Sequence, residues 1–373
     1  MTQYLMQTPA TPKVHLSPDE PFAATSGLKR CTKWKNASLN DVLRTYQDVA
    51  DHQPVPSWVR DDGFCAIGKP SRWQCTPSGY RFGHRVHSSG ACDVLREAGA
   101  QRVLFYGEST ARHAFWGIVL LLTNGLLAPQ PAGYPDDCEW AAEIGVSMRM
   151  GCRHELDNIN VKVCDGAVEL RFHQFFSPPR LPLIVELQEY DFVIWGWQGH
   201  AAHITRSYQR LGVNNATMLG ESLQEHCRTN PRYASLASDR IILLNNHPRF
   251  SWQLMKTEGE CPDAVAKYHS ELPLVWRREC NVTRVASSWD AVLALVQTSG
   301  TDWWLTAPPG SAVGAINDTS LASSWWRKMT VDGVHWGTAI NLMKADAIVE
   351  QISRRRRDTS HGTVPPIKRA VHG

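Results

Sequence analysis

The chain has 373 residues, of which 43% are hydrophobic and 20% charged, enough for two domains or for one large domain with an appendage. This composition excludes a disordered, a collagen-like and a coiled-coil chain. The 39 Lys and Arg residues nearly balance the 36 Asp and Glu residues, so the net charge of +3 indicates neither a nucleic-acid partner nor a membrane-surface partner.

The first segment along the chain, residues 1–27, is rich in Pro, Thr and Ser and has no hydrophobic periodicity. This pattern predicts a flexible leader. No basic stretch followed by an apolar stretch is present in it, so a signal peptide is not recognisable.

The next region, residues 28–98, contains four cysteines, many turn residues and few apolar runs. It predicts a small module that depends on disulfides because it cannot form a large core alone. The chain has 10 Cys, none at zinc-knuckle spacing, so we expect five disulfides, whose pairing the sequence does not reveal. Glycosylation sequons begin at Asn36, Asn215, Asn281 and Asn317.

Disulfides and sequons together predict a location in the lumen of the secretory pathway, in the ER or Golgi, or outside the cell. Because the leader lacks a signal, we expect a signal or membrane anchor upstream of Met1. The longest apolar stretch, residues 114–128, is too short and too interrupted for a bilayer span, so it predicts a buried helix.

Residues 99–353 alternate short β-favouring runs with longer helical stretches, which predicts an α/β domain with a mostly parallel sheet. The predicted strands are 102–106, 192–195, 240–244 and 302–305. The last predicted helix spans 339–352, and the remaining basic tail, residues 354–373, is predicted to be disordered.

The most informative motif lies where the first of these strands ends. Gly107 follows the apolar run, Ser109 comes two residues later, and a helix starts there. The Ser109 hydroxyl is therefore expected at the carboxyl end of a strand, beside the unpaired N–H groups of a helix N-terminus that stabilise an oxyanion. By itself the motif fits a helix N-cap serine equally well.

A second motif near the C-terminus favours the catalytic interpretation. Asp332 precedes His335 by three residues, and a carboxylate at this spacing can orient the imidazole as a general base. Together with Ser109 they form a candidate Ser-His-Asp triad.

With these motifs the sequence resembles the SGNH/GDSL hydrolase superfamily and, within it, the PC-esterase branch of trichome-birefringence-like and capsule O-acetylation proteins. Residues 107–112 (GESTAR) are similar to the G-D-S-x-x-R motif of that branch, and residues 332–335 are similar to its terminal D-x-x-H. The resemblance implies a three-layer SGNH-hydrolase-like fold, with Ser109 as nucleophile, His335 as general base and Asp332 as its orienting residue.

Three positions differ from the family pattern. Glu108 stands where Asp is usual, the segment 191–200 lacks the family's Asn, and Leu305 stands where Arg is expected. Backbone N–H groups and Gln198 are the candidate substitutes for the missing amide donor. The predicted supporting residues of the site are Gly107, Glu108, Arg112, Gly196, Gln198, Gly199 and His200.

Other segments are weaker candidates. Asn245 and Asn246 follow a predicted strand and either line the same cleft or form a turn. Of the 15 Trp residues, most are expected in the core and a few are candidates for stacking on a sugar. The cleft candidates among them are Trp195, Trp197 and Trp336. Gly220-Glu-Ser222-Leu also resembles G-D-S-L, but it follows a polar stretch, so we expect an exposed helix start there.

The predicted function is that of a serine esterase or O-acetyltransferase that acts on O-acyl groups of a carbohydrate. Its partners would be a glycan and, for transfer, an acyl donor. We expect no cofactor, and no metal despite His200 and His203, which lack a third ligand nearby in sequence. The alternative is an inactive glycan-binding or interaction protein that retains the fold, which the three departures favour.

Overall fold

The computed structural model describes residues 32–34, 37–53, 88–122, 159–174, 181–197, 215–245, 247–250, 261–299 and 338–361. Its helices, after a 3-10 turn at Thr32–Trp34, are α1 (Leu39–Gln47), α2 (Ser88–Glu97), α3 (Ser109–Leu122), α4 (Ile184–Glu189), α5 (Asn215–Thr229), α6 (Pro231–Arg240), α7 (Pro262–Cys280), α8 (Trp289–Ser299) and α9 (Thr338–His361). Its strands are β1 (Arg102–Gly107), β2 (Asn160–Val163), β3 (Val168–Gln174), β4 (Phe192–Gly196), β5 (Ile241–Leu244) and β6 (Val285–Ala286).

The strands form a six-stranded sheet in the order β2-β3-β1-β4-β5-β6. Neighbouring strands from β3 to β6 run parallel, and β2 pairs antiparallel with β3 at one edge. After β1 the chain forms β2 and β3 on one side, then crosses to β4 on the other side. The predicted α/β class with a mostly parallel sheet is confirmed.

Strands β1, β4 and β5 are almost entirely buried because helices cover both faces of the sheet. Val103 and Phe105 point into a cluster formed with α2, α3 and α9. Leu104 and Tyr106 point into the opposite cluster, formed with α4, α5, α6 and α7. Alternate residues of one strand thus serve two cores, and the described chain has helix, sheet and helix layers.

A third cluster connects the N-terminal region with the α/β domain. Tyr46 of α1 packs edge-on against Phe250 and Trp289, with ring centroids 5.3 and 5.2 Å apart. The Tyr46 hydroxyl donates to the carbonyl of Arg249 at 2.7 Å, and the Trp289 indole donates to the carbonyl of Tyr46 at 3.0 Å. Helix α1 therefore shares a core with α7, α8 and the start of α9, and the domain boundary at residue 98 stays a prediction.

Disulfides confirm the interpretation of the cysteines as far as the structure describes them. Cys92 of α2 pairs with Cys164 in the β2–β3 turn, and Cys227 of α5 pairs with Cys280 at the end of α7. Cys261 is disulfide-bonded as well. The first pair attaches the edge hairpin to a helix and the second ties two helices of the opposite layer.

Two elements differ from the predictions. The hairpin β2–β3 was not predicted, although Val168, Leu170 and Phe172 alternate with polar residues as a half-buried strand does. Helix α9 continues through the arginine run to His361, so a disordered tail starting at residue 354 is wrong for its first residues. The Arg355 guanidinium lies 2.7 Å from the Asp239 carboxylate and over the Phe192 ring, so this part of the run is a packed helix end.

The predicted buried helix is confirmed as far as Leu122, the end of α3. Throughout the described segments, no helix combines the length and the apolarity that a bilayer crossing needs. The predicted strand 302–305 lies outside the described residues.

Candidate active site

The candidate site lies at the carboxyl ends of β1 and β4. Gly107 ends β1 and is the register partner of Gly196, which ends β4, and of Gln174, which ends β3. Since the chain turns to one side of β1 for β3 and to the other side for β4, the strand order reverses at β1. In open α/β sheets, a crevice that binds ligands opens at such a point.

The close approach of β1, β4 and α3 requires glycine at this point. A Cβ atom on Gly107 would overlap the carbonyl oxygen of Gly196 and the Cβ of Ala111. A Cβ on Gly196 would lie 3.2 Å from the Leu244 side chain and 3.4 Å from the Ala111 Cβ. The glycines allow α3 to start directly above the two strand ends.

Ser109 is the first residue of α3. The backbone N–H of Arg112 donates to the carbonyl of Glu108 at 2.9 Å, so Glu108 occupies the N-cap position and Ser109 the first helical position. The interpretation of Ser109 as a simple N-cap is therefore wrong. The N–H groups of Ser109, Thr110 and Ala111 lack acceptors within the helix, and an oxyanion at this end would meet donors and the positive end of the helix dipole.

Glu108 has no solvent-exposed surface. The Thr110 hydroxyl donates to its Oε1 at 3.3 Å. Burial and, secondly, the negative charge of Glu108 hold the pKa of the Tyr268 hydroxyl well above its usual value, while the positive charge of Arg249 opposes this. The buried Glu108 and Arg249 thus form a polar cluster with the partly buried Tyr268.

The Tyr268 hydroxyl connects this cluster to the chain just after β4. It donates to the carbonyl of Trp197, the residue after β4, at 2.8 Å. The two rings also meet edge to face, with centroids 6.1 Å apart. Helix α7 therefore holds the backbone that leaves β4.

Arg112 lies one turn after Ser109 and is almost fully buried. Its Nη1 donates to Oε1 of Gln174 at 3.2 Å. The contact ties α3 to the end of β3, so Arg112 supports the turn that carries Ser109 by joining it to the neighbouring strand.

Lys344, on α9, is a buried cation near the same cluster, with 1% of its surface exposed. Burial and, to a smaller extent, the positive charge of Arg249 lower the pKa of Lys344 to about 7. A lysine in such surroundings exchanges its proton near neutral pH.

The tryptophans in and just after β4 are core residues. Trp195 and Trp197 have no exposed surface, and the Trp195 ring packs against Trp276 at 5.0 Å. A sugar could not stack on faces that already contact helices, so the prediction that these two residues line a cleft is wrong. Asn245 is also buried, and its amide donates to the carbonyl of His269 at 3.3 Å, which joins β5 to α7.

The other predicted site residues lie outside the described residues. They are Asn246, Gln198, Gly199, His200, Asp332, His335 and Trp336. The triad partners of Ser109 therefore stay a prediction. Within the described ranges, no group of three or more His, Cys, Asp or Glu side chains is arranged to hold a metal ion.

Ser222, in the second G-D-S-L-like segment, lies in the middle of α5 rather than at a helix start. Its carbonyl contacts the ring of His226 one turn later, at 3.0 Å. It is remote from the N-terminus of its helix, so the geometry that favours Ser109 is missing there.

The sequence analysis missed Tyr268 and Lys344. Both lie within long amphipathic helices, where a polar residue on an apolar face is the available signal. Lys344 stands between buried residues at Met343 and Ala345, and Tyr268 is one residue before the buried His269. Only the packing of α7 and α9 reveals that Tyr268 contacts the chain just after β4 and that Lys344 is buried near Arg249.

No family model matches the chain, and the comparisons with curated proteins and with solved structures also find no significant match.

Proposed function

We propose that this protein is an SGNH-type serine esterase or O-acetyltransferase that acts on O-acyl groups of a carbohydrate. The observation that carries the proposal is the position of Ser109, at the first turn of α3 and directly above the reversal of strand order at β1. A serine hydroxyl at this point has helix N–H groups beside it, as acyl transfer requires.

In the proposed mechanism His335, oriented by Asp332, accepts the proton of the Ser109 hydroxyl as its oxygen attacks the ester carbonyl. Backbone N–H groups at the start of α3 and after β4 stabilise the negative oxygen of the tetrahedral intermediate. The ester bond then breaks, the alcohol leaves with a proton from His335, and an acyl-serine remains. Water takes the acyl group in hydrolysis, and a sugar hydroxyl takes it in transfer.

Two features of the described residues support the proposal. Gly107 and Gly196 bring both strand ends into contact with α3, so the turn that carries Ser109 lies directly beside them. Glu108 departs from the family's Asp, yet its longer side chain is completely buried and hydrogen-bonded, so the turn accommodates it.

The test is labelling with a fluorophosphonate, which reacts with activated serines. We expect labelling of the folded protein, loss of labelling in Ser109→Ala, and full labelling in Ser222→Ala, whose serine lies mid-helix. Turnover of an activated acetyl ester should fall by at least about 10³-fold in Ser109→Ala. Equal labelling of Ser109→Ala and the native protein would exclude Ser109 as nucleophile.

Hydrolysis and transfer are distinguished by products. An activated acetyl donor is supplied with and without oligosaccharide acceptors, and the sugars are analysed by mass spectrometry. An added acetyl group on the sugar indicates transfer, whereas free acetate alone indicates hydrolysis. A folded protein that shows neither reaction and no labelling would be the glycan-binding alternative, which sugar-array binding then tests.

We also propose that the protein resides in the secretory lumen or outside the cell. Its described cysteines are all disulfide-bonded, as an oxidising compartment favours. Asn281, the acceptor of one sequon, is exposed at the end of α7. In eukaryotic expression, glycan removal should reduce the mass by a larger amount for the native protein than for Asn281→Gln, and equal losses would contradict modification at Asn281.

A further inference from the structure

Gln174, the last residue of β3, lies near the candidate site and has no part in the mechanism above. It is the register partner of Gly107, the residue that ends β1 two positions before Ser109. Gln174 is only partly buried, unlike most of the strand residues around it. It therefore lies beside the turn that carries Ser109, on the opposite side of β1 from β4.

The Gln174 side chain points to the face of the sheet that α3 covers. Successive residues of a strand alternate between the two faces. Phe172, two residues earlier, belongs to the cluster formed with α2, α3 and α9, and its ring centroid lies 5.8 Å from that of Phe115. His173 points to the other face, where its ring packs against Tyr106. Gln174 thus continues the α3 side of the sheet at its carboxyl edge.

Helix α3 runs along this face antiparallel to the strands. The Phe115 ring packs against Phe105, and one turn earlier the Ala111 Cβ lies directly beside Gly107, two residues further along β1. Each turn toward the helix N-terminus therefore corresponds to a step toward the carboxyl ends of the strands. At the level of these ends the helix has reached its first turn, which begins with Ser109.

A buried arginine fixes the orientation of the Gln174 amide. Nη1 of Arg112 donates to Oε1 of Gln174 at 3.2 Å. A guanidinium only donates, so the amide oxygen faces Arg112 and the NH2 group is left for another acceptor. Among the described residues, none accepts a hydrogen bond from this NH2 group. Arg112 and Ser109 are three residues apart, so they lie on the same side of α3 as the amide.

We propose that Gln174 is a catalytic residue of the esterase or acetyltransferase: its Nε2 donates a hydrogen bond to the negative oxygen of the tetrahedral intermediate, together with the N–H groups at the start of α3. This inference rests on the proposed function. An amide does not titrate, so it stays a donor at every pH at which the protein is folded. Arg112 positions the amide and does not touch the reacting atoms.

The test compares two variants of Gln174 in the hydrolysis of 4-nitrophenyl acetate. Gln174→Glu keeps an oxygen that accepts from Arg112 but replaces the NH2 group by a carboxylate oxygen. Gln174→Met removes the donor without adding a charge. In both we expect kcat to fall about 10²- to 10³-fold while KM stays within about three-fold of the native value, because the donor acts in the transition state.

Gln101→Glu is the matched control. Gln101 is an exposed residue directly before β1, at the amino end of the sheet, so the same substitution there leaves the candidate site unchanged. This variant should keep the native kcat and KM. Circular dichroism of all variants verifies that they are folded.

Three results would overturn the proposal. A native kcat in Gln174→Glu would show that Gln174 serves only to hold Arg112. A loss in Gln174→Glu that is absent in Gln174→Met would trace the effect to the added charge. A change in KM with a native kcat would indicate ground-state binding instead of stabilisation of the oxyanion. If one of the two variants does not fold, the kcat of the other decides.

The outcomes separate this inference from the proposed function. If Gln174→Met keeps the native kcat while Ser109→Ala is inactive, the donor role of Gln174 is wrong and the serine mechanism stands. If Ser109→Ala keeps the native activity, the serine mechanism fails and the donor role fails with it.

Discussion

At the residue scale, the turn between β1 and α3 depends on a few atoms of close contact. Residue 107 must be glycine, because the carbonyl of Gly196 occupies the space that a Cβ would need. Glu108 supplies the first carbonyl of the helix, which leaves Ser109 at the first helical position. The position of Ser109 thus follows from a steric requirement one residue before the cap.

Gly107→Ala should therefore lower the free energy of unfolding by about 3 kcal/mol, because β1, β4 and α3 must separate to admit the new methyl group. Gly90→Ala is the matched control: beyond its chain neighbours and the backbone of α2, no atom of the described residues lies within 4 Å of the position of its Cβ, so alanine there should be neutral or stabilise by about 0.5–1 kcal/mol. Urea denaturation measures both. Equal stabilities of the two variants would show that the strand ends can separate at low cost.

At the scale of elements, helix α1 supports the loop that follows β5. The Tyr46 hydroxyl bonds to the carbonyl of Arg249, and the ring fills the space between Phe250 and Trp289. Asp51, just after this helix, accepts from Ser287 and lies 3.0 Å from the ring nitrogen of His269. The N-terminal region is thus tied to α7 and α8 at several points.

Tyr46→Phe should reduce the free energy of unfolding by about 1–2 kcal/mol, because the buried carbonyl of Arg249 loses this donor. Thr45→Ala serves as control, since among the described residues that hydroxyl bonds only to the carbonyl of Asp41 within the same helix. Its effect should stay within about 0.5 kcal/mol. Thermal or urea unfolding of both variants tests the difference, and a loss confined to Thr45→Ala would contradict the anchoring role of Tyr46.

At the scale of the whole molecule, Lys344 makes stability depend on pH. Its pKa is lowered to about 7 in the folded protein and returns to its ordinary value, near 10.5, on unfolding. Below pH 7 both states carry the proton and the folded state bears the full cost of a buried charge. Between these two values unfolding takes up a proton, so stability increases with pH by up to about 1.4 kcal/mol per unit.

Lys344→Met should consequently stabilise the protein most at about pH 6, and its advantage over the native protein should shrink as the pH rises to about 9.5. Lys344→Arg is the control, because a guanidinium stays charged throughout and keeps the cost of burial at every pH. Urea unfolding at several pH values measures these differences. An advantage of Lys344→Met that is independent of pH would show that Lys344 does not titrate in this range.

Secondary-structure elements with a strong local sequence pattern were predicted correctly, and those with a weak pattern were missed or misplaced. Strands β1, β4 and β5 were predicted because strands covered on both faces read as continuous apolar runs. The hairpin β2–β3 was missed, because a short alternating pattern at a sheet edge is a weaker signal. The end of α9 was placed too early, because an arginine run resembles a solvated tail unless a partner such as Asp239 is known.

The sequence by itself determined the α/β class, the disulfide character of the described cysteines, and Ser109 as the residue at a strand-to-helix turn, since each depends on neighbours along the chain. Only the tertiary structure decided the reversal of strand order at β1 and the burial of Trp195 and Trp197. It alone also decided that Tyr268 lies near Glu108 and Arg249, and Lys344 near Arg249. These contacts join segments far apart in sequence, and their geometry depends on how whole helices pack against the sheet.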